Sequence, residues 1–194
     1  MTKLKREDLY SLEEYSEKRD EFRKKVMAQK ENRRLELGDH LLLMLEDRLI
    51  IQYQIQEMLK VEKIFDAAGI QEELDAYNPL IPDGTNWKAT MMIQYTDVTE
   101  RQHQLTQLIG IEDLIWMQVE GFEKVYAIAD EDLERDNKEK TSAVHFMRYE
   151  LSDDMIAAVK SGAAISAGVD HENYQYTVSP IADNLRDSLA SDLA

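Results

Sequence analysis

The chain has 194 residues, 43% hydrophobic and 32% charged, a formal net charge of −16 and no cysteine. This is the composition of a folded globular chain, and it excludes thiolate catalysis, disulfides, iron–sulfur ligation and Cys-type zinc. The charged start Met1-Thr2-Lys3-Leu4-Lys5-Arg6 leads into no apolar signal core, and the longest apolar run, Leu41 to Leu45, is far short of the roughly 20 residues of a membrane helix, so a cytoplasmic protein without a membrane span is expected.

Ser11-Leu12-Glu13-Glu14 is a capping box, and Leu12, Tyr15, Phe22 and Val26 then fall on one stripe, which predicts a helix over 12–32. Two short strands follow, Leu35 to Leu37 and His40 to Leu45, joined at Gly38-Asp39 as a hairpin. Asp47 caps a second helix over 48–67 that Gly69 should end, and a short helix over 70–77 stops before Asn78-Pro79. Pro82-Asp83-Gly84 is a turn and the clearest internal boundary.

Beyond that turn the pattern changes to strands. Trp87 to Tyr95 reads as a strand, Asp97 to Ile109 as a helix, and Ile115 to Val119 with Val125 to Ala129 as a hairpin across Gly121. Asp130 to Lys140 is a polar connector with room for one helical turn. A strand, Ser142 to Glu150, a capped helix, Ser152 to Ser161, and a hairpin of Ile165 to Val169 with Tyr174 to Val178 complete a second, similar unit. Ser179-Pro180 should open a last helix marked by Leu185, Leu189 and Leu193.

The fold class expected is α+β: N-terminal helices with a short hairpin, two βαββ units in a mixed or antiparallel sheet, and a C-terminal helix. One domain is expected over 1–194, with a helical subregion 1–84 and a duplicated subregion 85–194. At an offset of 50 residues Ile115 lies over Ile165, Val119 over Val169 and Tyr126 over Tyr176, and Gln94-Tyr95 lies over Arg148-Tyr149. Hairpins share β-propensity and turn chemistry, so chance likeness competes with a true duplication.

Charge is segregated. Residues 1–34 hold 11 Lys/Arg against 8 Asp/Glu, and the remaining 160 hold 12 against 31. The acidic body repels phosphate backbones and argues against nucleic-acid binding, while the basic first helix suits a protein partner or a homo-oligomer. A solvated helix face explains the same pattern without any partner.

Five polar positions stand out as ligand candidates: Glu57, Asn86, Lys88, His145 and His171. Glu57 is a carboxylate on an apparently apolar helix stripe; it is either paired and perturbed, as general acids are, or at an edge reaching water. Asn86-Trp87-Lys88 suits a ligand rim or a plain strand entry. His145 shares a strand face with Ala143, Met147 and Tyr149, where an interior hydrogen-bonded histidine is the commoner outcome, and His171 sits in Asp170-His171-Glu172 at the expected hairpin tip. The two histidines are weak metal candidates. Glu100 and His103 form one E-x-x-H, half of what a di-iron bundle needs, and Glu100 also fits a cap begun by Asp97. No Gly-rich phosphate loop, Rossmann fingerprint, H-E-x-x-H or G-x-S-x-G is present, so the cofactor is left unknown.

Long strings, among them Gln52-Tyr53-Gln54-Ile55-Gln56-Glu57-Met58, Tyr77-Asn78-Pro79-Leu80-Ile81-Pro82, Asn86-Trp87-Lys88-Ala89-Thr90-Met91-Met92 and Thr141-Ser142-Ala143-Val144-His145-Phe146, resemble the bacterial domain-of-unknown-function family 3501 over essentially the whole chain. The resemblance implies no assigned activity; it implies an accessory role tied to peroxide or redox metabolism. The absence of catalytic motifs and the basic helix beside an acidic body lead to the expectation of an accessory binding protein acting through protein contacts, the alternative being a small-molecule or metal-dependent enzyme built on Glu57, His145 and His171.

Overall fold

The computed structural model describes residues 2–131 and 140–194. The described residues form an α+β fold with two antiparallel sheets. Helix α1 (Leu12–Glu31) has the expected capping box, with the Ser11 hydroxyl accepting from the Glu14 N–H and the Glu14 carboxylate accepting from the Ser11 N–H. Strands β1 (Arg34–Glu36) and β2 (Leu41–Leu45) form the hairpin, with Gly38 in the left-handed region at φ 77°.

Helix α2 (Arg48–Val61) is shorter than the sequence pattern suggests. Lys63 turns the chain at φ 57°, and the Asp66 carboxylate then accepts from the Ala68 and Gly69 N–H groups to cap a new helix, α3 (Ala67–Tyr77). Gly69 thus lies inside the first turn of α3 instead of ending α2. The aspartate cap accounts for the restart.

Strand β3 (Asn86–Ile93) leads to α4 (Val98–Gln107) and β4 (Ile115–Val119). The expected strand over 125–129 is split. β5 (Val125–Tyr126) pairs with β4, while β6 (Ile128–Ala129) pairs with β7 (Val144–Glu150) in the other sheet. The chain changes sheets at Ala127, whose N–H still bonds the Ile115 carbonyl. Helix α5 (Asp153–Lys160), strands β8 (Ile165–His171) and β9 (Tyr174–Val178) and helix α6 (Asp183–Ala190) follow. The Ser179–Pro180 peptide is cis and precedes α6 by two residues, so Pro180 is not its first helical residue. The connector expected over 130–140 falls largely outside the described residues.

The sheets run β1-β2-β3-β7-β6 and β5-β4-β8-β9. The first strands of the two sequence-similar units are therefore neighbours in one sheet, and their hairpins are neighbours in the other. Met117 faces Ala167, a partner 50 residues away, and Met91 faces His145, 54 residues away, the two offsets seen in the sequence. The hairpins differ: Tyr126 pairs with Trp116, but Tyr176 pairs with Val169, three residues from the position a gapless overlay demands.

Alternating residues of both sheets face a shared core, including Leu43, Leu45, Trp87, Met91, Ile115, Met117, Tyr149, Ile165 and Ala167, so residues from both sides of the Pro82-Asp83-Gly84 turn bury one another. The Trp87 indole N–H donates to the Leu189 carbonyl at 3.1 Å and fixes α6 on this core. Among the described residues no helix is long and apolar enough to cross a membrane.

The other face of the first sheet is only partly covered. It carries Lys88 and Thr90 of β3 and Phe146 and Arg148 of β7, with α3 and the 3-10 turn Asn78–Leu80 standing over one end.

Candidate functional site

Strand geometry decides which side chains meet here. Lys88 and Arg148 are direct partners across β3 and β7, so both project to the partly covered face. Like charges in that position repel, and the protein answers for only one of them. The Arg148 guanidinium donates to both Glu131 oxygens at 2.8 Å and to Glu150 at 2.5 Å. Those carboxylates hold Arg148 above the ordinary guanidinium range, and Arg148 in turn holds Glu131 below the ordinary carboxylate range. Glu150 also accepts from Thr85 Oγ1 at 2.8 Å and from Asn86 Nδ2 at 3.3 Å.

Lys88 has no such answer: its amine makes no hydrogen bond or ion pair among the described residues. Burial first, and the facing Arg148 second, push it below the ordinary lysine range, against weaker attraction from Glu131, Asp83 and Glu150.

The amine borders a groove of about 570 Å³. One wall is the end of α3 and the turn after it, with Asp75, Tyr77, Pro79 and Leu80; the other is the sheet, with Lys88, Phe146 and Arg148, and Glu131 lies at the rim. The chain turns at Pro79 because a proline cannot continue the helical ladder, which puts Leu80 beside the strand. The volume lies within the roughly 300–1,000 Å³ usual for small-molecule sites, and the lining is mostly apolar with a few polar groups, as such sites are.

Of the candidates named from sequence, Asn86 and Lys88 come together, on one strand face and around Glu150. The other three stand elsewhere, each with its own partners. Glu57 on α2 accepts two hydrogen bonds from Arg19 at 2.8 Å and one from Tyr15 at 2.6 Å, both residues of α1, and the Arg19 contacts hold its carboxyl down to about 2.

His145 is fully buried. Its Nε2–H points to the Ser142 carbonyl at 3.0 Å and to Thr141 Oγ1 at 2.8 Å; that hydroxyl donates to Glu112 at 3.2 Å. On the other edge Nδ1 meets the Asp130 carboxylate. Asp130 also accepts from the Phe146 N–H and sits at φ 50°.

His171 is the last residue of β8 and buried, since the tight turn is Glu172-Asn173 and not Asp170-His171. Its Nδ1 accepts from the Asn173 N–H at 3.2 Å, which makes Nε2 the protonated nitrogen, donating to the Ile109 carbonyl. Glu100 is exposed, and its N–H donates to the Asp97 cap. Among the described residues no group of three or more His, Asp or Glu is arranged to hold a metal ion.

Sequence reasoning named Lys88 but missed Arg148, Glu131, Asp75 and Tyr77. Arg148 was within reach: on one face of its strand it alternates with Phe146, and only the β3–β7 register sets it opposite Lys88.

Among curated proteins no relative matches this chain. A crystal structure of a protein from Burkholderia pseudomallei, described as a novel protein of unknown function, is similar over 100% of both chains, at 50% identity and a TM-score of 0.95. The model of the family described as "Protein of unknown function (DUF3501)" matches residues 3–193, and the chain belongs to that family.

Proposed function

We propose that the protein is a small-molecule-binding protein. Its groove takes a compound with an aromatic or apolar body and one carbonyl group. The observation that carries this is the Lys88 amine: half-buried, facing a second cation, and without a partner among the described residues, at the end of an apolar groove. A half-buried amine left unpaired is costly, and a ligand oxygen at its end removes that cost. The body of the ligand rests on Tyr77, Pro79, Leu80 and Phe146. Asp75, Glu131 and Glu150 outnumber the two cations around the groove, so an uncharged carbonyl fits better than a strong anion.

The test is titration of isotope-labelled protein with benzamide, followed by NMR. Shifts should centre on Tyr77, Leu80, Lys88 and Phe146 and vanish in Leu80→Arg, which fills the groove. Shifts unchanged in that variant, or none up to millimolar benzamide, overturn the reading.

A second reading, an accessory protein acting through protein contacts or self-association, is favoured by Arg23, Lys24 and Lys25, exposed together on α1 and in no ion pair among the described residues. Light scattering in rising salt tests it: assembly lost at high salt, and in the triple Glu variant of those positions, supports it, and a monomer throughout removes it. The tie to peroxide or redox metabolism rests on the resemblance alone.

A further inference from the structure

We infer that Lys88 is a nucleophilic amine that forms an imine with an aldehyde or ketone held in the groove. This deepens the carbonyl-binding reading and rests on it. Three features of the site converge. The amine is the groove's one side-chain nitrogen group without a hydrogen bond among the described residues, so no donor occupies its lone pair and no carboxylate contacts it directly. Arg148 stands directly opposite, fixed by Glu131 and Glu150, so a permanent positive charge faces Lys88 and cannot swing away to solvent. Burial on the sheet face under α3 removes water that would stabilise an ammonium. Each feature favours the neutral amine, which is the reactive form.

The step balances without an outside oxidant or reductant. The Nζ lone pair attacks the carbonyl carbon and a C–N bond forms, while the carbonyl π pair moves to oxygen, where the charge develops within the field of Arg148. A proton passes from nitrogen to that oxygen to give the carbinolamine. The nitrogen lone pair then closes the C=N bond as the C–O bond breaks, and the remaining N–H proton passes to the departing oxygen, which leaves as water. Amine and carbonyl become imine and water. Tyr77 and Phe146 flank the position a flat aryl or alkyl body would take, which selects carbonyl compounds of that shape over small polar sugars.

The experiment is reductive trapping. Protein is incubated with benzaldehyde at neutral pH, reduced with sodium borohydride, digested and mapped by mass spectrometry. The benzyl adduct should predominate on Lys88, at several times the mean of the other lysines, because the neutral amine is the reactive form. Labelling at Lys88 should fall to the level of the others when the protein is unfolded in urea. It should also fall when benzamide competes. Lys160→Arg, at an exposed helix end, should leave the Lys88 adduct unchanged.

Adducts spread evenly over the lysines, with benzamide still binding in the groove, overturn the imine and leave the binding reading standing. Loss of both benzamide binding and selective labelling overturns both. Wild-type protein carries each measurement, so neither depends on a Lys88 variant folding.

Discussion

The imidazole of His145 lies 2.5 Å from the carboxylate of Asp130 and 2.8 Å from the hydroxyl of Thr141, so one residue near the start of β7 joins chain segments that precede and follow residues 132–139. Replacement by alanine takes away both links and leaves Asp130 and Glu112 with less compensation in a nearly dry setting. His145→Ala should lower the unfolding free energy by roughly 3 kcal/mol, the range for breaking a buried charged network. Urea unfolding is the measurement. A loss under about 1 kcal/mol would show that the cluster is not a stability element.

Glu57 offers an acid test of the α1–α2 contact. Its carboxyl falls from an ordinary 4.5 to about 2 in the folded protein, chiefly through Arg19. A depressed carboxylate stabilises the fold above its unfolded value and stops doing so as pH falls toward the folded value. Glu57→Gln should therefore cost roughly 2 kcal/mol at pH 7, allowing for the partial exposure of the pair, and progressively less between pH 4.5 and pH 3. Thermal melts of the two proteins across that range decide it.

Glu46 should act in the opposite sense. Burial raises it to about 7, with Thr90, Lys30 and Arg33 opposing and Asp47 adding to the rise; one of its oxygens has no hydrogen bond. A raised carboxyl binds a proton on folding, so its contribution is best below the unfolded value near 4.5 and is lost as pH rises through about 7. Glu46→Gln should flatten the fall in stability between pH 5 and pH 8, read by denaturant midpoints. An unchanged slope would assign the pH dependence to another group, such as Asp192, also raised by burial, to about 6.

Gly168 pairs with Trp116 across β4 and β8, and the indole lies over it. A Cβ at this position would stand 2.6 Å from the Tyr176 carbonyl oxygen and press into the Trp116 ring. The backbone contact cannot yield without breaking the β8–β9 ladder. Gly168→Ala should destabilise by about 3 kcal/mol or more and change the near-UV tryptophan signal, both accessible by circular dichroism.

Much of the fold follows from local pattern. The Ser11, Asp47, Asp97 and Ser152 caps all sit where their side chains would be expected to accept N–H groups. Local pattern fails where a single residue overrides it. Lys63 in a left-handed conformation ends a helix whose apolar stripe continues, and Ala127 moves the chain to another sheet inside a run of uniform β-propensity. The site is less legible than the fold because its members are far apart in sequence. Lys88 and Arg148 are 60 residues apart, and nothing in either local string announces the other. Glu57 shows the converse: its position on an apolar stripe was plain, but the Arg19 that satisfies it came from another helix.

Arg33 and Asp192 are bound by two hydrogen bonds in the core, 159 residues apart along the chain. Arg33 precedes every strand of both sheets, yet its counter-charge, Asp192, lies beyond the last strand and helix α6. The other carboxylates near the guanidinium, Asp47 at 3.5 Å and the adjacent Glu46, come from the segment between β2 and α2. Seating this buried cation therefore requires segments 159 residues apart to meet, a long-range closure of the kind that slows folding, and Asp192→Ala would leave the hairpin's guanidinium without its bidentate counter-charge.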